Sequence, residues 1–277
     1  MLMRRSLAVL TLCAALAPVA LAQQASPPSV VAPALKASID GGWRKPDNVE
    51  RDKYRHPGQT LTFFGVQPHD TVIEITPGNG WYSEILAPYL QAEGQYIAAV
   101  VDPAAVAESS RAYQQKAADS LQALFDTDPA HYGKARLVRY SPAAPVFGPA
   151  GSADVVLTFR NVHNWRMADN AEAMFKGFYA VLKPGGTLGV VEHRAKGDVA
   201  DDDKSGYVGQ AQVIALATAA GFRLEGQSEI NANPRDTKDY PGGVWTLPPT
   251  NKHPPADDAK YRAIGESDRM TLRFIKP

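Results

Sequence analysis

Two acidic residues each follow an apolar, strand-like run. Glu74 lies in VIEITPGNG (Val72 to Gly80), at the end of a β-branched stretch that reads as a buried strand. The loop after it carries Thr76, Pro77, Gly78 and Gly80, and a helix pattern then begins. Glycines at such a turn let the backbone approach a ligand closely, because no Cβ stands in the way. Free N–H groups at the start of the helix suit ligand oxygens. Asp102 follows QYIAAVV (Gln95 to Val101), twenty-two residues past Gly80. A carboxylate at that distance can accept both hydroxyls of a ribose. Two further apolar runs end in polar clusters. ADVVLTF (Ala153 to Phe159) leads to Arg160, Asn161 and His163; TLGVV (Thr187 to Val191) leads to Glu192, His193 and Arg194. His163 is the candidate general base, since an ordinary imidazole pKa near 6.5 suits proton removal from an oxygen or nitrogen. Its competing role is that of a hydrogen-bonded structural histidine. Arg160 or Arg194 would orient a carboxylate or phosphate on a substrate. His163, His193 and Glu192 match no compact ligand spacing such as HExxH, so no metal site is expected.

These residues need a frame. From Asp47 onward, strand-like and helix-like segments alternate, as in a parallel sheet covered by helices. Strands are expected at 71–75, 95–101, 135–140, 153–159, 187–192, 222–230 and 269–275. Helices are expected from Asp47 to Tyr54, from Pro57, and over 81–90, 103–125, 171–182 and 209–220, the last capped by Gly221. Residues 231–259 are rich in Pro, Asn, Asp and Gly and read as a functional loop or cover. Open parallel sheets bind ligands beyond the carboxyl ends of their strands, where the strand order reverses. The polar residues above all fall on that edge.

The chain resembles the class I S-adenosylmethionine-dependent methyltransferases over roughly residues 57–277. The resemblance rests on Glu74 to Gly80, on Asp102, on Asp154 to Phe159, on LKPGGTLGVV (Leu182 to Val191) and on Ala220-Gly221-Phe222. It implies a Rossmann-like sandwich with a seven-stranded, mostly parallel sheet whose last strand is antiparallel. It also implies S-adenosylmethionine as cofactor, held by Glu74, Thr76, Gly78, Gly80, Asp102 and Asn161. Catalysis would then fall to His163 and Arg160, on a small-molecule acceptor. Two departures stand out. Thr76 occupies the place of the family's first glycine, and Tyr140-Ser141-Pro142 holds no acid where one often lies near the adenine. In more detail, RDKYRHP (Arg51 to Pro57), GNGWY (Gly78 to Tyr82), FRNVH (Phe159 to His163) and GGVWTLP (Gly242 to Pro248) resemble a group of exported predicted bacterial methyltransferases. In related enzymes an N-terminal helix covers the cofactor, which makes Tyr54 the candidate lid residue.

Composition narrows the alternatives. At 44% hydrophobic and 21% charged, the chain is a folded globular protein. Residues 1–22 read as a bacterial export signal: Arg4 and Arg5, the apolar run Leu7 to Ala17, then Ala20-Leu21-Ala22. Residues 23–46 read as a flexible leader and 47–277 as the folded domain. The expected location is the periplasm or beyond, with no stable membrane insertion once the signal is removed. The single cysteine, Cys13, leaves with the signal. That excludes disulfides, thiolate metal sites and a cysteine nucleophile. With 29 basic and 29 acidic residues the chain lacks the basic footprint of a nucleic-acid binder. Export also separates the protein from the cytoplasm, where S-adenosylmethionine is made. The alternative is therefore an exported, non-catalytic binding protein on the same fold.

Overall fold

The computed structural model describes residues 30–277. The expected signal, residues 1–22, lies outside the described residues. Four short helices come first: α1 (Pro33–Ile39), α2 (Pro46–Val49), α3 (Asp52–Arg55) and α4 (Pro57–Phe64). The sheet then begins with β1 (Thr71–Ile75), α5 (Ser83–Leu90) and β2 (Gln95–Val101). Next come α6 (Glu108–Thr127), α7 (Pro129–Tyr132), β3 (Arg136–Tyr140) and β4 (Ala153–Phe159). The chain continues through α8 (Val162–Met167), α9 (Ala171–Val181), β5 (Leu182–His193) and α10 (Gln210–Ala219). It closes with β6 (Arg223–Ser228), α11 (Asp258–Ile264) and β7 (Arg269–Ile275).

The seven strands run in the order β3-β2-β1-β4-β5-β7-β6. The pairs from β3 to β5 are parallel, and β7 lies antiparallel between β5 and β6. This is the architecture expected from the sequence. Side chains alternate across each strand, so the sheet carries two cores. Ile73, Ile75, Ala99 and Val156 pack on one face with Met174 and Phe178 of α9. Val72, Tyr96, Ala98, Val155 and Leu157 pack on the other with Leu61, Ile85 and Leu86. Period two puts Glu74 on the face of Val72, among α5 side chains.

Three expectations are corrected. The supposed leader is structured over residues 33–46. Leu35 is 1% exposed, Val31 and Ile39 pack against the same core, and the Trp43 ring lies 3.9 Å from that of His131. An Ala- and Pro-rich composition suggested a loose segment. Yet Pro33 opens a helix, and Leu35 and Ile39, four residues apart, give it an apolar face. The helix expected over 103–125 is broken: Asp102 caps a separate 3₁₀ turn at Pro103–Ala105, and α6 begins at Glu108. Finally, α8 is a helix where only loop residues were expected.

Candidate active site

The strand order reverses between β1 and β4, and a crevice of about 560 Å³ opens there. Its walls include Glu74, Thr76, Gly78, Trp81, Tyr82, Arg160 and Asn161. Thr76 takes a left-handed backbone, φ 50°, which costs a β-branched residue energy. Two bonds hold it there: its N–H donates to Ala99 O at 2.8 Å, and its hydroxyl lies 2.8 Å from that of Tyr140. Gly78 and Gly80 also have positive φ, but they serve different ends. A Cβ at Gly78 would meet nothing, so this backbone is open to the crevice. A Cβ at Gly80 would stand 2.9 Å from Leu124 Cδ2, so this glycine seats the loop against α6.

Glu74 is buried and accepts hydrogen bonds from Tyr96 OH at 2.6 Å and Ser83 Oγ at 3.4 Å. Burial outweighs those bonds and pushes its pKa up to about 7. Asn161 ties the reversal point together, donating from Nδ2 to Ile75 O at 3.0 Å and to Thr158 Oγ1 at 3.3 Å. Asp102 closes β2 half-buried, its Oδ1 accepting from Ala104 N–H at 2.9 Å. It stands beside Val101 on the rim; Val101 lines the crevice and Asp102 does not.

A second, smaller cavity of about 300 Å³ adjoins the first and shares Tyr113, Arg160, Asn164 and Pro249 with it. His163 and His193 line it, and Trp245, Pro248 and Thr250 of the late loop wall it. Glu192 is fully buried behind the two rings. Its Oε1 accepts from His163 Nδ1 at 3.0 Å and from His193 N–H at 2.7 Å, and its Oε2 from His163 N–H at 3.2 Å. The carboxylate therefore fixes the ring and leaves Nε2 as the basic nitrogen. His193 Nδ1 lies 2.5 Å from Ser267 Oγ. Burial, then the charges of His163 and Arg160, holds His193 well below the usual imidazole range. One ligand atom from each of His163, Glu192 and His193 lies within 4.8 Å of the other two. The sequence offered no compact motif because the group forms across the ends of β4 and β5.

Four arginines surround this junction. Glu266 pairs with Arg51 at 2.7 Å, Arg55 at 3.2 Å and Arg269 at 3.1 Å. Arg160 sits at φ 61°, its N–H donating to Val191 O at 2.7 Å. Burial lowers its pKa to about 10, partly offset by Glu266. Arg194, the other expected substrate-orienting arginine, is committed to both oxygens of Glu229 and of Asp268. Tyr54 is not among the residues lining the crevice, whereas Arg51 and Arg55 are. Sequence reading missed these two, although they flank Tyr54 in the quoted RDKYRHP run.

The fold has counterparts among solved structures. An S-adenosylmethionine-dependent methyltransferase from Aquifex aeolicus aligns at TM-score 0.52 and 14% identity, over 82% of this chain and 93% of its own. The chain has the class I methyltransferase fold. The [4+2]-cyclase SpnF aligns at TM-score 0.57 and 14% identity, over 88% of this chain and 91% of its own. An O-methyltransferase segment of StiE aligns at TM-score 0.54 and 16% identity, over 87% and 81%. No family model matches the chain, and no curated protein matches it. The same fold thus serves both methyltransferases and a cyclase, so it does not by itself fix the reaction.

Proposed function

We propose that the protein transfers a methyl group from S-adenosylmethionine to a small-molecule acceptor after export from a bacterial cytoplasm. The observation that carries this reading is the joined pair of cavities. The large crevice, opened by Gly78, suits a nucleoside; the small one holds His163 with Glu192 behind it. When bound, the cofactor supplies a methyl carbon activated by positive sulfur. Glu74, Thr76, Gly78 and Gly80 shape the floor, Asn161 holds β1 to β4, and Asp102, on the rim beside the crevice, would offer the ribose hydroxyls its Oδ2, the oxygen not bonded to Ala104 N–H. His163 Nε2 takes the proton from the acceptor, and the imidazolium is stabilised by Glu192. The remaining task is to hold the acceptor in line and keep water out, and such positioning contributes up to about 7–11 kcal/mol. Trp245 and Pro249 supply part of that cover.

Calorimetric titration with S-adenosylhomocysteine tests the reading. Asp102→Ala is expected to weaken binding about 10- to 100-fold, the loss of hydrogen bonds to a charged group. His163→Ala should leave that affinity intact. The reverse order would mean that ribose and reaction centre are misplaced. The export pattern in residues 1–22 favours a second reading, an exported protein that binds another small molecule in the same crevice. Absence of both heat and thermal shift with S-adenosylmethionine and S-adenosylhomocysteine would select it.

A further inference from the structure

We infer that the acceptor carries an acidic group, a carboxylate or phosphate, which Arg160 binds at the mouth of the second cavity. This rests on the methyl-transfer reading and specifies its substrate class. Arg51, Arg55 and Arg269 share the single carboxylate of Glu266. Among the described residues, the Arg160 side chain makes no hydrogen bond and no ion pair within 4 Å; Glu266 and Glu192 act on it only through their charges. A guanidinium presents five donors in a fixed fork that matches a carboxylate or phosphate. Leaving such a group unpaired in a partly desolvated place is costly unless a ligand completes it.

Its location limits what that ligand is. Arg160 lines the nucleoside crevice, the narrow gap beside Arg55 and Arg269, and the histidine cavity. An anion on it therefore sits beside His163, where the acceptor must present its nucleophile. The strained φ of 61° is what turns the residue after β4 into this junction. The surroundings agree. Arg51 Nη2 and Arg55 Nη2 are buried without partners, and both residues line the crevice. The acids nearby do not neutralise the excess. Glu266 is already shared, Glu192 is bonded to His163 and two backbone N–H groups, and Glu74, its pKa raised to about 7 by burial, carries only part of a charge at pH 7 and is bonded to Tyr96 and Ser83. Arg194 is fully paired with Glu229 and Asp268, which leaves Arg160 to do the binding. An acidic group there would hold a neighbouring hydroxyl or amine against His163 Nε2 and raise the local concentration of anionic acceptors.

The test uses protein saturated with S-adenosylhomocysteine, titrated calorimetrically with inorganic phosphate and with salicylate as a model hydroxy acid. Both should bind the wild type, at least ten-fold more weakly to Arg160→Met, and with partial recovery in Arg160→Lys. Arg160→Asn serves as a second variant, since asparagine tolerates the left-handed backbone. Exposed Arg235→Met should change nothing. Equal anion binding by wild type, Arg160→Met and Arg160→Asn would overturn the proposal. A second arm separates the acceptor's acid from the cofactor's own carboxylate. Arg160→Met should bind S-adenosylhomocysteine as tightly as wild type does. A loss with that ligand but not with 5′-methylthioadenosine, which lacks the carboxylate, would assign Arg160 to the cofactor and sink the proposal. If the wild type binds no S-adenosylhomocysteine but still binds the two anions through Arg160, the methyl-transfer reading fails and the anion site stands.

Discussion

Glu74 and Glu266 are buried to the same degree, at 2% and 3% exposure, yet their acidities move in opposite directions. Glu74 lies on the floor of the crevice with two hydroxyl donors, and burial raises its pKa to about 7. Glu266 is penalised by burial too, but Arg269, Arg55, Arg160 and Arg51 outweigh it and lower the pKa to about 2. Desolvation is similar in both places; the number of cations within reach decides the sign. One half of the site therefore holds a carboxyl that sheds its charge readily, and the other is a cationic junction. That division matches a nucleoside on one side and an acidic acceptor on the other.

Four substitutions would break or sharpen this contrast. The largest effect belongs to Glu266→Gln, which leaves two buried guanidiniums, Arg55 and Arg269, and the partly buried Arg51 without their shared partner, and should cost about 3–5 kcal/mol in urea unfolding at pH 7. The folded pKa of Glu266 is depressed, so its contribution is present above about 4.5 and is lost as pH falls toward 2. The wild type and variant curves should converge in acid. If they stay parallel, the arginines do not depend on this carboxylate. Glu74→Gln should act the other way. A raised folded pKa means that the wild type is favoured below about 4.5 and loses that benefit as pH rises through about 7. The variant should therefore unfold at higher urea than wild type at pH 8, by up to about 3 kcal/mol, and be near equal at pH 4. A destabilised variant at pH 8 would show that the ionised carboxylate is needed by the fold. The smallest effect separates the two loop glycines. Gly80→Ala drives a Cβ toward Leu124 and should cost about 1–3 kcal/mol. Gly78→Ala should cost about 1 kcal/mol of stability, from its left-handed backbone, and mainly weaken S-adenosylhomocysteine.

Much of the frame was legible before any coordinates. β1, β2, β4 and β7 begin and end at the residues expected for them. Those strands are largely buried, and apolar residues dominate β1, β2 and β4. The α1 segment was misread because its burial rests on few side chains, chiefly Leu35, and the surface that receives them belongs to α5. Within the site, Glu74, Gly78 and Asn161 were visible as polar or glycine positions at strand ends. Arg51, Arg55 and Glu266 were not. They lie about two hundred residues apart in the chain, and no local pattern links one arginine to a distant acid.

From the sequence alone followed the alternation of strands and helices, the edge of the sheet at which the crevice opens, and the residue types standing on it. These depend on local periodicity and on glycine's backbone freedom, both of which are written residue by residue. The tertiary structure decided which charges meet. It assigned Arg194 to Glu229 and Asp268, placed Glu192 behind His163, gathered three arginines on Glu266 and left Arg160 open. Electrostatic character depends on distance and burial between groups remote in sequence, and only folding sets those.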